Sequence, residues 1–335
     1  MQLATKLRRK APEGAPSADD ADDTDAAEAD SSKPSLRARL HAWWEGYDVS
    51  ATAPEAENDD ERPSAKAAVK PAAKPPAKEY WPRERIEVAQ ILWGKEFITP
   101  IGAGATTSLA QPLALAKGMA VLHLGCGLGG GTRALAQASS VTVTGMDESA
   151  ALAKIGMDLS TRSKLKTQAP ITACNLATFE FKSGAFDRAL IEDIVHRRDD
   201  KEAALKRILR GLKIDAELLI LDYMFLGKAA GPSISAWAAV DPSPVRPWNL
   251  DQARKTLAKL HVDVRGVEDE TARCRSLIVG GLDAFLKGAA SKALNRALTA
   301  TLKREIDLWA LRKAAFDAGE LKAFALYGVK RGEAG

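Results

Sequence analysis

From Glu79 onward, apolar residues recur in two alternating rhythms. Short apolar runs at 120–125, 141–145, 170–174, 187–192 and 217–224 have the length of buried strands. Between them, apolar positions fall at helical spacing near 130–138, 149–159 and 200–212. Strands that alternate with helices predict an α/β fold, a parallel sheet with helices on both faces, because each crossover returns the chain to the same sheet edge. Helical periodicity also runs from Arg83 to Trp93 and from Thr106 to Leu115, ahead of the first strand. A helix near 250–260, a strand near 262–268 and a last strand at 322–330 follow. The mostly helical stretch 280–318 exceeds what a minimal alternating α/β domain needs, and it is expected to cover or border the functional site.

Residues 1–78 follow neither rhythm. Ala, Asp, Glu, Ser and Pro dominate residues 10–33, and Ala, Pro, Lys and Glu dominate residues 52–78. Such segments bury too little apolar surface to offset chain entropy, so a disordered N-terminal arm is expected. An island at 35–47 interrupts it, where Ser35 is placed to cap a short helix carrying Leu36, Leu40, Trp43 and Trp44. Trp43 and Trp44 read as a docking element for a protein partner or a membrane surface, or as a helix packing on its own domain. Residues 79–335 read as one domain.

Composition narrows the class. Apolar residues make up 46% of the 335, enough for a sizeable core, and the net charge is only +4. Cys126, Cys174 and Cys274 have no disulfide spacing, which fits a reducing compartment. His41, His123, His196 and His261 are scattered, so no metal site is expected. The basic N-terminus lacks a following apolar segment and no apolar run reaches membrane-spanning length, so the reading is cytoplasmic. Arginines and lysines near 197–210 recur at helical spacing and read as a solvated face, and no nucleic-acid partner is expected.

The densest signal is Gly125-Cys-Gly127-Leu-Gly129-Gly130-Gly131 after the first strand, with Asp147 ending the second. Glycines allow close backbone approach and positive φ. The helix that follows presents free N–H groups and a positive dipole end. Asp147 lies 22 residues after Gly125, where a carboxylate accepts from a ribose diol. A nicotinamide dehydrogenase uses the same turn. However, about 40 residues of helical pattern precede the first strand, and no second nucleotide-binding half follows.

The loop Leu124–Gly131 resembles motif I of the class I S-adenosylmethionine (SAM)-dependent methyltransferases. More narrowly, residues 80–330 resemble the phosphoethanolamine and small-amine N-methyltransferases. Tyr80 leads a helix that runs to Trp93-Gly94-Lys-Glu-Phe97-Ile98-Thr99, Glu192 and His196 form a Glu-x-x-x-His element, Asp222-Tyr223 ends a strand, and Trp309-Ala-Leu-Arg312 stands near the C-terminus. The resemblance implies a Rossmann-like seven-stranded methyltransferase sheet with a helical insertion near the C-terminus, and SAM as cofactor. It implies cofactor contacts at Ile98, Thr99, His123, Gly125, Gly127, Asp147, Glu148, Asn175 and Leu176. It implies a catalytic group of Tyr80, Glu192 and His196, and small-molecule substrate contacts at Tyr223 and Arg312. Methyl transfer from a sulfonium requires a neutral nucleophile held in line, so alignment and removal of the amine proton are the protein's tasks.

Two positions depart from that family. His123 stands where its members carry an acid that holds the glycine loop and the SAM amino group, and Asn175 stands where they carry an adenine-binding aspartate. Loss of one charge-assisted hydrogen bond costs about 1.5–3 kcal/mol, roughly one to two decades in affinity. The alternative to an N-methyltransferase is therefore a degenerate methyltransferase fold that serves as a binding or regulatory protein. Around Pro242–Trp248 only Arg246 offers a phosphate contact, so phosphoethanolamine itself is not assigned.

Overall fold

The computed structural model describes residues 79–288 and 295–332. The expected arm and its helix with Trp43 and Trp44 lie outside the described residues. Among the described residues two helices, α1 (Arg83–Trp93) and α2 (Ala103–Leu109), precede the sheet. The helix expected from Thr106 to Leu115 instead starts at Ala103 and gives way to a 3-10 turn at Gln111–Leu113, where Pro112 has no N–H to continue it.

The alternating core follows as β1 (Ala120–Leu124), α3 (Gly130–Ser139), β2 (Thr142–Asp147), α4 (Ala150–Arg162), β3 (Ile171–Ala173), β4 (Phe186–Glu192), α5 (Lys201–Gly211) and β5 (Leu212–Phe225). The chain continues through α6 (Pro232–Val240), β6 (Trp248–Asn249), α7 (Leu250–Lys259), β7 (Val262–Asp269), α8 (Thr271–Gly288), α9 (Arg296–Asp317) and β8 (Lys322–Lys330). Strand order is β3-β2-β1-β4-β5-β8-β7, with the two-residue β6 attached beside the end of β5. The first five strands are parallel, while β8 runs antiparallel between β5 and β7.

Side-chain parity explains why the inner strands read as continuous apolar runs. Leu122, Leu124, Ala189, Ile191, Leu218 and Ile220 join one buried cluster with Leu205 and Ile208 of α5 and Leu257 of α7. Val121, Leu190, Leu219 and Leu221 join another with Leu109, Leu113 and Leu135. Both faces are covered, so strand positions of either parity must be apolar.

Two boundaries differ from the sequence reading. β5 begins at Leu212, where a helix was expected to end, because a bulge between Phe186 and Arg188 lets its first residues pair before the apolar run starts. The helix α6 was not anticipated, although Pro232 at its first turn is a start signal. The helical stretch expected from 280 starts at Thr271, after Asp269 accepts the Thr271 N–H at 2.9 Å. No described helix is long and apolar enough to cross a membrane.

Candidate active site

The strand order reverses direction between β1 and β4, and ligands of open α/β sheets bind beyond the strand ends at that point. Here the carboxyl ends of β1, β2, β4 and β5 bring together Gly125, Asp147, Glu192 and Asp222. A narrow cleft there is lined by Ile98, Thr99, His123, Gly125, Gly127, Glu192 and Asp193, among others.

Glycine is required at two points of the turn. Gly125 has φ +77°, and a Cβ there would come within 1.9 Å of the Glu192 carbonyl oxygen. Gly127 has φ +56°, and its Cβ would come within 2.9 Å of Ile98. The loop is held from below by Asp147, whose carboxylate accepts from the N–H groups of Gly127 and Ser149, both at 2.9 Å. Burial outweighs those two bonds and pushes the Asp147 carboxyl up to about 6.

His123 pairs with Leu190 across β1 and β4, so Glu192 lies two residues further along the same sheet face. That register sets His123 Nε2 2.6 Å from Glu192 Oε2, while Nδ1 lies 2.9 Å from the Thr132 hydroxyl. The other Glu192 oxygen, Oε1, is buried and has no partner. The site therefore keeps a carboxylate: it sits on β4 instead of at position 123, and the histidine holds it.

A second pair lies at the end of β5. His196 is fully buried, and its Nδ1 lies 2.5 Å from Asp222 Oδ1. Asp222 also accepts the backbone N–H groups of His196 and Tyr223, both at 2.8 Å. In the neutral imidazole, a carboxylate placed here accepts the Nδ1 proton, which leaves Nε2 as an acceptor. His196 Nε2 and Asp193 Oδ1 are both buried without a hydrogen-bond partner, 3.7 Å apart. Asp193 adopts φ +54°, a conformation that non-glycine residues rarely take outside constrained sites. Burial pushes its carboxyl up, but Arg197, His196 and Arg312 together hold it below the usual carboxylate range.

The remaining expected residues divide. Glu148 Oε1 accepts from the Leu176 N–H at 3.2 Å and from Arg198 at 2.8 Å, tying the loop after β4 to the ends of β2 and β3. Burial raises its carboxyl above the ordinary value. Asn175 is exposed, and its side-chain oxygen accepts from the Ala177 N–H at 2.9 Å, the geometry of a local turn. The Tyr80 carbonyl accepts from Arg85 at 2.9 Å. Tyr223 and Arg312 are both buried and meet at 3.3 Å, hydroxyl to guanidinium. Arg312 is 2% exposed, so it is not the surface arginine that an amphipathic helix suggests.

Arg197 corrects the reading of residues 197–210 as solvated. Its guanidinium turns inward to Asp193 at 3.2 Å and faces Asp241 at 3.8 Å. Arg210, by contrast, is a surface residue paired with Glu180. Asp193, Trp237 and Asp241 had no motif to mark them, because their roles depend on a backbone conformation and on helix packing. The C-terminal helix α9 brings Arg312 to Tyr223, and its Trp309 packs edge-on against Trp93, with ring centroids 4.8 Å apart. Among the described residues no group of three or more His, Cys, Asp or Glu is arranged to hold a metal ion.

Comparison with known proteins agrees with this fold. Residues 121–215 match a family model described as a methyltransferase domain. Phosphoethanolamine N-methyltransferase 3 of Arabidopsis thaliana is 27% identical over 146 residues, 44% of this chain and 29% of that protein. The match thus spans less than a third of that relative's length. Phosphoethanolamine N-methyltransferase 2 of Haemonchus contortus, solved with phosphomonomethylethanolamine and S-adenosylhomocysteine, superposes with a TM-score of 0.65 at 20% identity, over 75% of this chain and 59% of that one. The [4+2]-cyclase SpnF superposes with a TM-score of 0.54 at 19% identity, over 68% of this chain and 81% of that one. The fold alone therefore does not fix the reaction. The chain has the fold of the class I SAM-dependent methyltransferases and resembles the phosphoethanolamine N-methyltransferases.

Proposed function

We propose that this chain transfers a methyl group from SAM to the nitrogen of a small amine. The observation that carries this reading is the pair of buried, unpartnered acceptors, Asp193 Oδ1, from a residue that lines the cleft, and His196 Nε2, 3.7 Å from it. Buried acceptors normally find donors, and an amine with two N–H groups would satisfy both.

The cofactor's parts fit what the residues offer. Glu192 Oε1 is a free buried carboxylate oxygen suited to an aminium group. The tight turn at Gly125 and Gly127 accommodates close backbone approach, and Asp147 retains lone pairs for a ribose diol. SAM supplies a sulfonium methyl when bound. His196 would accept the proton that the amine must lose, with Asp222 fixing the ring, and Asp193 would hold the amine in line.

This arrangement answers the charge lost at position 123, the observation behind the degenerate-scaffold reading. It also fixes what His123→Asp should do. An aspartate there would set two carboxylates side by side, and like charges at that spacing disfavour ionisation of both. We expect His123→Asp to weaken binding of S-adenosylhomocysteine, whereas a tighter complex would restore position 123 as a missing anchor. Glu192→Gln should weaken it by about 10- to 150-fold, the loss of one charge-assisted bond. Calorimetric titration of either variant reads the effect directly.

Turnover is tested with methyl-labelled SAM and a panel of primary, secondary and tertiary amines, following label transfer and release of S-adenosylhomocysteine. Transfer to an amine that is lost in Asp193→Asn would support the assignment. Binding of SAM without transfer to any amine, or transfer that survives loss of Asp193, would count against it.

A further inference from the structure

Behind the amine seat lies a buried ionic network that reaches the same cleft through Asp193. Its centre is Asp241, whose side chain is fully buried after α6. Asp241 Oδ2 accepts from the Trp237 indole N–H at 3.1 Å and from Arg312 at 3.3 Å, and it faces Arg197 at 3.8 Å. Its Oδ1 accepts the Ser243 N–H at 3.0 Å and faces Arg85 at 3.9 Å. Arg85 is held in turn by Glu305 at 2.6 Å.

Converging guanidinium groups and an indole N–H are the donors that an oxyanion of a ligand would need. Here the oxyanion is supplied by the chain. The charges also balance: Arg85, Arg197 and Arg312 oppose Asp193, Asp241 and Glu305. The arginines hold the Asp241 carboxyl below the ordinary range against the upward push of burial, so it stays an anion. A phosphate entering this network would meet that anion instead of unpaired arginines. The aromatic walls leave little freedom to rearrange, since Arg312 is stacked among Tyr223, Trp237 and Trp309 with ring centroids 4.2 to 5.0 Å away.

We propose that Asp241 sets the acceptor class: it fills the anion seat beside the amine site, so the substrate is an amine without a phosphate or other dianionic group. The inference deepens the N-methyltransferase reading and rests on it for the word substrate. The filled anion seat can be tested without cofactor.

The experiment is a thermal-shift and calorimetric titration of the full chain with inorganic phosphate, against chloride at matched ionic strength. The wild-type chain should show no saturable phosphate binding. Asp241→Asn removes the charge at constant shape, and it should gain saturable binding at least about tenfold tighter than wild type. Arg312→Gln placed on top of Asp241→Asn should abolish that gain. Saturable binding to wild type that Arg312→Gln removes would overturn the proposal, as would a folded Asp241→Asn with no gain. If Asp241→Asn does not fold, the wild-type titration and its Arg312→Gln control decide. A parallel titration with S-adenosylhomocysteine keeps the two readings apart: absence of cofactor binding would sink the methyltransferase assignment and leave the phosphate result standing.

Discussion

Asp147→Ala is expected to lower SAM affinity by about two to four decades. The carboxylate holds the Gly127 and Ser149 N–H groups, both at 2.9 Å, and in the proposed cofactor site it would offer its remaining lone pairs to the ribose diol. Two charge-assisted bonds to the diol, at about 1.5–3 kcal/mol each, account for the range. Titration with SAM and with S-adenosylhomocysteine measures it, and unchanged affinity would remove Asp147 from the cofactor site.

The same residue gives a pH signature. Its carboxyl sits at about 6 in the folded chain, raised from 3.8 by burial. A protonated carboxyl no longer accepts from both hydroxyls, so SAM affinity should fall as pH drops through about 6. Stability moves the other way. The folded state holds this proton more tightly than the unfolded state, so burying the charge costs stability above about pH 6. That cost fades as pH falls toward 3.8, and a shift of this size corresponds to about 3 kcal/mol. Asp147→Asn should therefore melt at or above the wild-type temperature at neutral pH, even as it loses the cofactor. Asparagine keeps one of the two backbone acceptors, so part of the gain is offset.

The second large effect is expected at His196. His196→Gln should reduce kcat by about 10²- to 10⁴-fold, the usual contribution of a positioned proton acceptor. Binding of S-adenosylhomocysteine should remain as in wild type, because no cofactor contact is assigned to that ring. Asp222→Asn should lower kcat in the same direction by loosening the ring's orientation and tautomer, since Asp222 Oδ1 lies 2.5 Å from His196 Nδ1. Both variants are read in the labelled-methyl assay with the best amine from the panel. A fall in cofactor binding equal to the fall in turnover would assign His196 to architecture instead of chemistry.

The site was partly legible beforehand. Gly125, Gly127 and Asp147 form a local pattern, because a tight turn between strand and helix needs those residue types wherever it occurs. Glu192 and His196 stand out by resemblance; Glu192 ends β4 and His196 lies in the 3-10 turn that follows. The partnership of His123 with Glu192 was not visible, since it depends on parallel register between residues 69 apart. His123 read alone looks like a lost charge; read across the sheet, it supports the charge that remains. Arg197 looked solvated for a similar reason, because Asp199 and Asp200 follow it while its partners Asp193 and Asp241 come from the preceding loop and from the end of α6.

What the sequence by itself determined is the α/β layering, the place of the glycine turn and the acid that ends β2. Each follows from the period of apolar residues or from backbone demands within a few positions. Only the tertiary structure decided which polar groups face one another. Arg312 meets Asp241 across 71 residues, and His196 meets Asp222 across 26. Those pairings form because α6 and α9 pack over the sheet end and exclude water, and a buried charge must then find its counterpart in space wherever it lies along the chain.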